Sequence, residues 1–156
     1  MLSNVSVYMA IAEESLAESQ RSEAEARSPK SNGESGHVIK WVPRRASFKH
    51  SLISIAFSGM YLEALLYLTG VDRLGKSQYM KIDHKKYEEK LSALGITDAL
   101  LLAECKRFRV ARNDLTHEKA IEPRELGSTV VRMAQQEAAM AVAFVKSVSV
   151  ALKNVP

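Results

Sequence analysis

The sequence predicts an all-α protein, an up-and-down bundle of four main helices with one short connecting helix. Apolar residues return at three- and four-residue steps through four long stretches, the period of a helix face turned toward a core. No run of alternating apolar and polar residues marks a strand, and no internal repeat is visible. The clusters of chain breakers, in 28–36, 70–83 and at Glu122-Pro123, fall between those stretches, where connections belong.

The first helix is expected from Leu2 to about Arg27, with Leu2, Val5, Met9, Ala12 and Leu16 on one face and a second half, rich in Glu, exposed to solvent. Ser28-Pro29-Lys30-Ser31-Asn32-Gly33-Glu34-Ser35-Gly36 reads as part of an exposed, flexible loop at about 28–37. A second helix is expected over 47–68, where Phe48, Leu52, Ile55, Gly59, Leu62 and Leu66 keep a helical step with apolar neighbours on both sides. So broad an apolar surface belongs to a central helix. Glu63 interrupts it, and a buried carboxylate left ionised and unpaired costs several kcal/mol, so Glu63 must reach solvent or meet a cation. Residues 70–83 read as a connector and 84–94 as a short helix stopped by Gly95. Asp98 can cap a helix from Ala99, whose stripe is Leu101, Cys105, Phe108, Arg112 and Leu115. Pro123 suits the first turn of a last helix over 124–153, carrying Ala134, Ala138, Ala141, Val145, Val148 and Leu152 beside a second stripe of Val130, Met133, Met140 and Phe144. Met60, Met133 and Met140 are expected as core fillers.

With 156 residues, 46% of them hydrophobic and 26% charged, the chain suits one domain over 1–156. The net charge of +4 favours anionic partners mildly. One cysteine, Cys105, allows neither a disulfide framework nor a cysteine-based zinc site, and a reducing cytoplasm is the expected setting. No signal peptide is recognised at the N-terminus, and the uninterrupted apolar runs are too short for a membrane span, so no membrane partner is expected. His37, His50 and His84 lack metal spacing; neither a metal nor another cofactor is expected.

Arg112-Asn113-Asp114-Leu115-Thr116-His117 is where residue types that do chemistry converge. On an ideal helix Asn113 and His117 share a face, whereas Arg112 and His117 lie about 140° apart. Arg112 and His117 therefore meet only if the backbone loosens between them or a twofold-related copy supplies the second set. These side chains suit phosphodiester cleavage by the 2′-hydroxyl of RNA. An imidazole moves the protons and a guanidinium stabilises the phosphate oxygens, without a metal.

Arg112-Asn113-x-x-x-His117, preceded by Tyr61-Leu62-Glu63-Ala64-Leu65-Leu66 on a buried helix and followed by a long terminal helix, resembles the HEPN family over about 46–155. That family is all-α and commonly dimeric. It includes metal-independent endoribonucleases of toxin–antitoxin, anti-phage and CRISPR systems. The resemblance implies Arg112 as the phosphate-binding and transition-state residue, His117 as acid or base, and Asn113 as the polar residue that orients them. It also implies RNA as substrate, a homodimer, and a cognate antitoxin or nucleotidyltransferase-type partner. One toxin subgroup has a nucleotidylated Tyr two residues after the His; here Lys119 stands there, which departs from that mode of control.

Lys40, Arg44, Arg45 and Lys49 cluster around Trp41 and Phe48, mixing cations with aromatics as an RNA-binding segment does, though a solvated loop with two core-facing aromatics accounts for them slightly better. Arg112 has a structural reading too, as the cation that answers Glu63 across two helices. The alternative function is accordingly a non-catalytic helical module that binds RNA or protein within a larger assembly.

Overall fold

The computed structural model describes residues 4–29, 37–39, 46–116 and 134–155. Six helices and one two-stranded ribbon follow in the order α1 (Asn4–Ala26), β1 (Arg27–Pro29), β2 (His37–Ile39), α2 (Ala46–Leu74), α3 (Lys76–Met80), α4 (Tyr87–Ala93), α5 (Ala99–Thr116) and α6 (Ala134–Asn154). The class is all-α. The antiparallel ribbon, with Ser28 opposite Val38, closes the ends of the segment read as a loop from sequence. Three residues per strand are too few to show a period of two.

The core collects Ile55, Leu62 and Leu66 from α2, Leu91 from α4, Leu101, Cys105 and Phe108 from α5, and Ala138, Val145, Val148 and Leu152 from α6. Each large aliphatic or aromatic side chain so buried contributes roughly 1.5–3 kcal/mol. Every member of the stripe expected on α6 is buried from Ala134 onward, while 124–133 lies outside the described residues. Met140, expected as a core filler, points outward at 45% exposure; its neighbour Phe144 fills the core against Phe108 instead, with ring centroids 5.3 Å apart.

α1 runs antiparallel to α2 along a seam of small residues. Ser19 Oγ donates to the Ser47 carbonyl at 3.0 Å and lies 2.7 Å from Ser51 Oγ. Ser54 Oγ donates to the Ala12 carbonyl at 2.8 Å, and Tyr8 meets Phe57 near the other end. The second half of α1 is therefore not uniformly solvated, since Ser19 is buried there. Hydroxyls take no part in apolar periodicity, yet across a close helix pair they satisfy one another.

α2 is longer than expected because Gly70 does not break it. The ring of Tyr79 from α3 lies on Gly70, where a Cβ would stand 2.0 Å from Tyr79 Cδ2. The glycine serves close approach, and the break comes at Gly75, with φ of 78°. Arg73, in the last turn of α2, donates to the carbonyls of Leu94 at 3.1 Å, Val155 at 3.0 Å and Leu152. It thereby satisfies terminal carbonyls of α6 and holds the C-terminal ends of α2 and α6 together. The connector expected over 70–83 is thus helical at both its start and its middle.

By length and composition α2 is apolar enough to cross a membrane, with a mean hydropathy of 1.5 in its best window, a third of which is buried. Counting uninterrupted apolar runs misses this, since Glu63 divides a helix that is otherwise apolar. A core helix meets the same test, and α2 packs against α1, α3, α5 and α6.

Candidate functional site

α5 begins where Asp98 Oδ1 accepts the backbone N–H of Leu100 at 2.9 Å and of Leu101 at 3.3 Å, the N-cap expected from sequence. Leu101, Cys105 and Phe108 face the core, and the helix remains regular through Thr116. Three arginines leave it toward three different helices. Arg107 Nη1 reaches Glu137 Oε2 of α6 at 2.8 Å; Arg109 holds Glu88 of α4 with both Nε and Nη2, at 3.1 and 2.8 Å. Arg112 Nη1 reaches Glu63 Oε1 of α2 at 3.0 Å.

These pairs differ in how open their carboxylates are. The side chains of Glu137 and Glu88 are 13% and 19% exposed, that of Glu63 is 49%. Burial opposes ionisation of Glu88, but the hydrogen bonds and charge of Arg109 outweigh it and hold the carboxyl below its usual range. Glu63 takes both courses anticipated for it, solvent on one side and a guanidinium on the other.

Tyr87, at the start of α4, completes the Arg112 cluster. Its hydroxyl donates to Glu63 Oε1 and accepts from Arg112 Nη1 at 2.6 Å. Burial, with the Glu63 hydrogen bond next, pushes the phenol well above its ordinary value, so it remains a donor. The Arg112 side chain reaches this pair by crossing Gly59, where a Cβ would lie 2.4 Å from Nε and 2.8 Å from Cζ. A bare helix surface, a carboxylate and a phenol thus fix the direction of one guanidinium. Tyr87 was not singled out from sequence, because nothing local to it names a partner 24 residues earlier in the chain.

Asn113 is exposed and is not part of this cluster. His117 lies outside the described residues, as do Lys40, Trp41, Arg44 and Arg45; Lys49 is exposed near the start of α2. Because α5 is α-helical through Thr116, no loosening occurs between Arg112 and Thr116, which removes most of the room for the single-chain route to convergence. His84 is exposed and His50 half-buried, and no group of three or more His, Cys, Asp or Glu is placed to hold a metal among the described residues.

Beside the cluster opens a cleft of about 470 Å³ lined by Glu63, Tyr67, Asp83, Lys85, Tyr87 and Lys90. Lys90, almost fully buried, donates to Asp83 Oδ1 at 2.9 Å and lies 5.8 Å from the centre of the Tyr79 ring. The arrangement can present donors and acceptors to a polar ligand next to a fixed guanidinium. No family model, characterised protein or solved structure matches the chain.

Proposed function

We propose that this chain is a metal-independent endoribonuclease of the toxin–antitoxin or anti-phage defence type, with a HEPN-like helical arrangement and a cytoplasmic site of action. Two copies bring their Arg112-His117 segments into one cleft. The observation that carries the reading is that, of the three arginine–carboxylate pairs radiating from α5, the one in the motif has the most exposed carboxylate, and its guanidinium is oriented by Glu63 and Tyr87. The half-open Glu63 leaves a solvent path to the Arg112 cluster that the more covered Glu88 and Glu137 do not leave to theirs.

In the reaction, the His117 imidazole takes the proton of a ribose 2′-hydroxyl, whose oxygen attacks the adjacent phosphorus. The bond to the 5′-oxygen breaks, and that oxygen receives a proton from the second His117. A 2′,3′-cyclic phosphate and a 5′-hydroxyl end remain. Arg112 neutralises the non-bridging oxygens as charge grows on them, and Asn113 orients the substrate. The cationic segment of Lys40, Trp41, Arg44, Arg45 and Lys49 supplies backbone contacts to the RNA, and an antitoxin, or a nucleotidyltransferase acting at a site other than Lys119, restrains the enzyme.

The test is RNA degradation by the purified chain in EDTA. The wild type cleaves, and His117→Ala abolishes cleavage while its melting temperature is unchanged. No cleavage by the wild type, or undiminished cleavage by the variant, overturns the reading.

One observation favours a second reading. Arg112 joins α2, α4 and α5 through Glu63 and Tyr87, as a brace in a non-catalytic RNA- or protein-binding module does. In that case Arg112→Ala lowers the melting temperature and there is no separable activity to lose.

A further inference from the structure

We infer that the cleft beside Arg112 is a nucleobase subsite that selects guanine. The inference rests on the ribonuclease reading for its place in a reaction, but the binding it describes can be measured without catalysis.

Three properties of the cleft point to a flat heterocycle with hydrogen-bond donors on one edge. First, its volume of about 470 Å³ falls in the range of small-molecule sites. Second, Tyr67 is 38% exposed and packs perpendicular to Tyr79, at 87° with 5.6 Å between centroids, which leaves at least one face of Tyr67 clear of Tyr79 for a base to stack upon. Stacking of a base on an aromatic ring is worth about tenfold or more in affinity. Third, the walls offer more acceptors than their own contacts use. Glu63 directs Oε1 to Tyr87 and Arg112, and Asp83 directs Oδ1 to Lys90, while Oε2 and Oδ2 have no hydrogen bond among the described residues. Both carboxylates are about half open, at 49% and 42%.

A separate sign lies beneath the cleft. Tyr79 is completely buried, and its hydroxyl makes no well-formed hydrogen bond among the described residues, standing only near the Asp83 carboxylate of the cleft wall. Its ring contacts two of the lining residues, Tyr67 and Lys90. A buried hydroxyl without a partner is unfavourable, so a polar guest, or a water it orders, that reaches this oxygen supplies what the protein does not.

Among the bases, guanine alone presents two adjacent donors, N1–H and N2–H, that match the Asp83 carboxylate through Oδ2 and the remaining lone pair of Oδ1, with the acceptor O6 beside them for an ammonium. The exposed Lys85 supplies that ammonium. Adenine and cytosine bring one donor group each, and uracil a single N–H. A guanine seated here places its phosphate toward the Arg112 guanidinium, whose partners Glu63 and Tyr87 form the wall shared by the two sites.

Titration of the full chain with the four nucleoside 5′-monophosphates by calorimetry tests this. GMP binds at least tenfold more tightly than AMP, CMP or UMP. Tyr67→Ala weakens GMP at least tenfold, Tyr67→Phe retains binding, and Lys85→Ala, at an exposed position, weakens it with an unchanged melting temperature. Equal affinity for all four nucleotides, no binding of GMP, or full GMP binding by Tyr67→Ala overturns the inference. Cleavage-site mapping separates the two ideas. RNA cut in EDTA without regard to guanine rejects the subsite and leaves the ribonuclease reading standing; GMP binding without any cleavage supports the subsite and rejects the ribonuclease.

Discussion

Gly59→Ala tests whether the direction of Arg112 depends on a bare helix surface. The new Cβ would stand 2.4 Å from Arg112 Nε, and an ordinary contact needs about 3.4 Å, so the guanidinium must retreat by about 1 Å. A retreat of that size carries Nη1 out of hydrogen-bond range of Glu63 and Tyr87, now 3.0 and 2.6 Å away. Hydrogen bonds to charged groups contribute about 1.5–3 kcal/mol each when covered, and under about 1 kcal/mol when solvent screens them. With Glu63 half exposed, losing both costs about 2 kcal/mol. Against this, Ala is favoured over Gly inside a helix by about 1 kcal/mol. The net expectation is destabilisation of about 1 kcal/mol, or a fall in melting temperature of about 2–4 °C for a chain of this size. In an Arg112→Ala background the obstacle is gone and the helical preference remains, so the same substitution should stabilise by about 1 kcal/mol. Urea unfolding of the four proteins, followed by far-UV circular dichroism, measures both steps. A change of the same sign in both backgrounds would refute the dependence of Arg112 on Gly59.

Acid sensitivity should pass through the Arg109–Glu88 pair. Arg109 holds the folded-state pKa of Glu88 below the ordinary carboxylate value, so its contribution is complete above that ordinary value and is lost as the pH falls through the lower folded one. Glu88→Gln should therefore destabilise the protein at pH 7, and the gap to the wild type should close as the pH falls below the ordinary carboxylate range; a gap independent of pH in chemical denaturation rules this out. Cys105 is fully buried and its thiol is pushed up to about 12, chiefly by burial and then by the Glu88 charge. A disulfide reagent at pH 8 should leave it untouched in the native protein and modify it rapidly in urea, and fast native modification would show that the α4–α5 packing opens readily.

The four long helices were legible because each buries a continuous stripe, and a stripe is a local property of sequence. α1, α2 and α5 fall where apolar periodicity puts them, and the buried stripe of α6 is the expected one. Gly70 was misread because a bare backbone signals a break and a close approach in the same way; only the position of Tyr79 distinguishes them. Long-range pairing raises the same difficulty in the candidate site. Arg107, Arg109 and Arg112 sit within two turns of one helix, yet they end on α6, α4 and α2. Glu63 could be matched to Arg112 from sequence, since an isolated carboxylate on an apolar face demands a cation. Tyr87 could not, since a tyrosine makes no such demand. Nor does sequence tell which of three arginines keeps an open partner, because exposure is set by what α4 leaves uncovered. What distinguishes the three pairs is the carboxylate and not the guanidinium: Glu63 stands half in solvent while Glu88 and Glu137 are mostly covered, and that difference follows from the packing of distant elements, which no local pattern encodes.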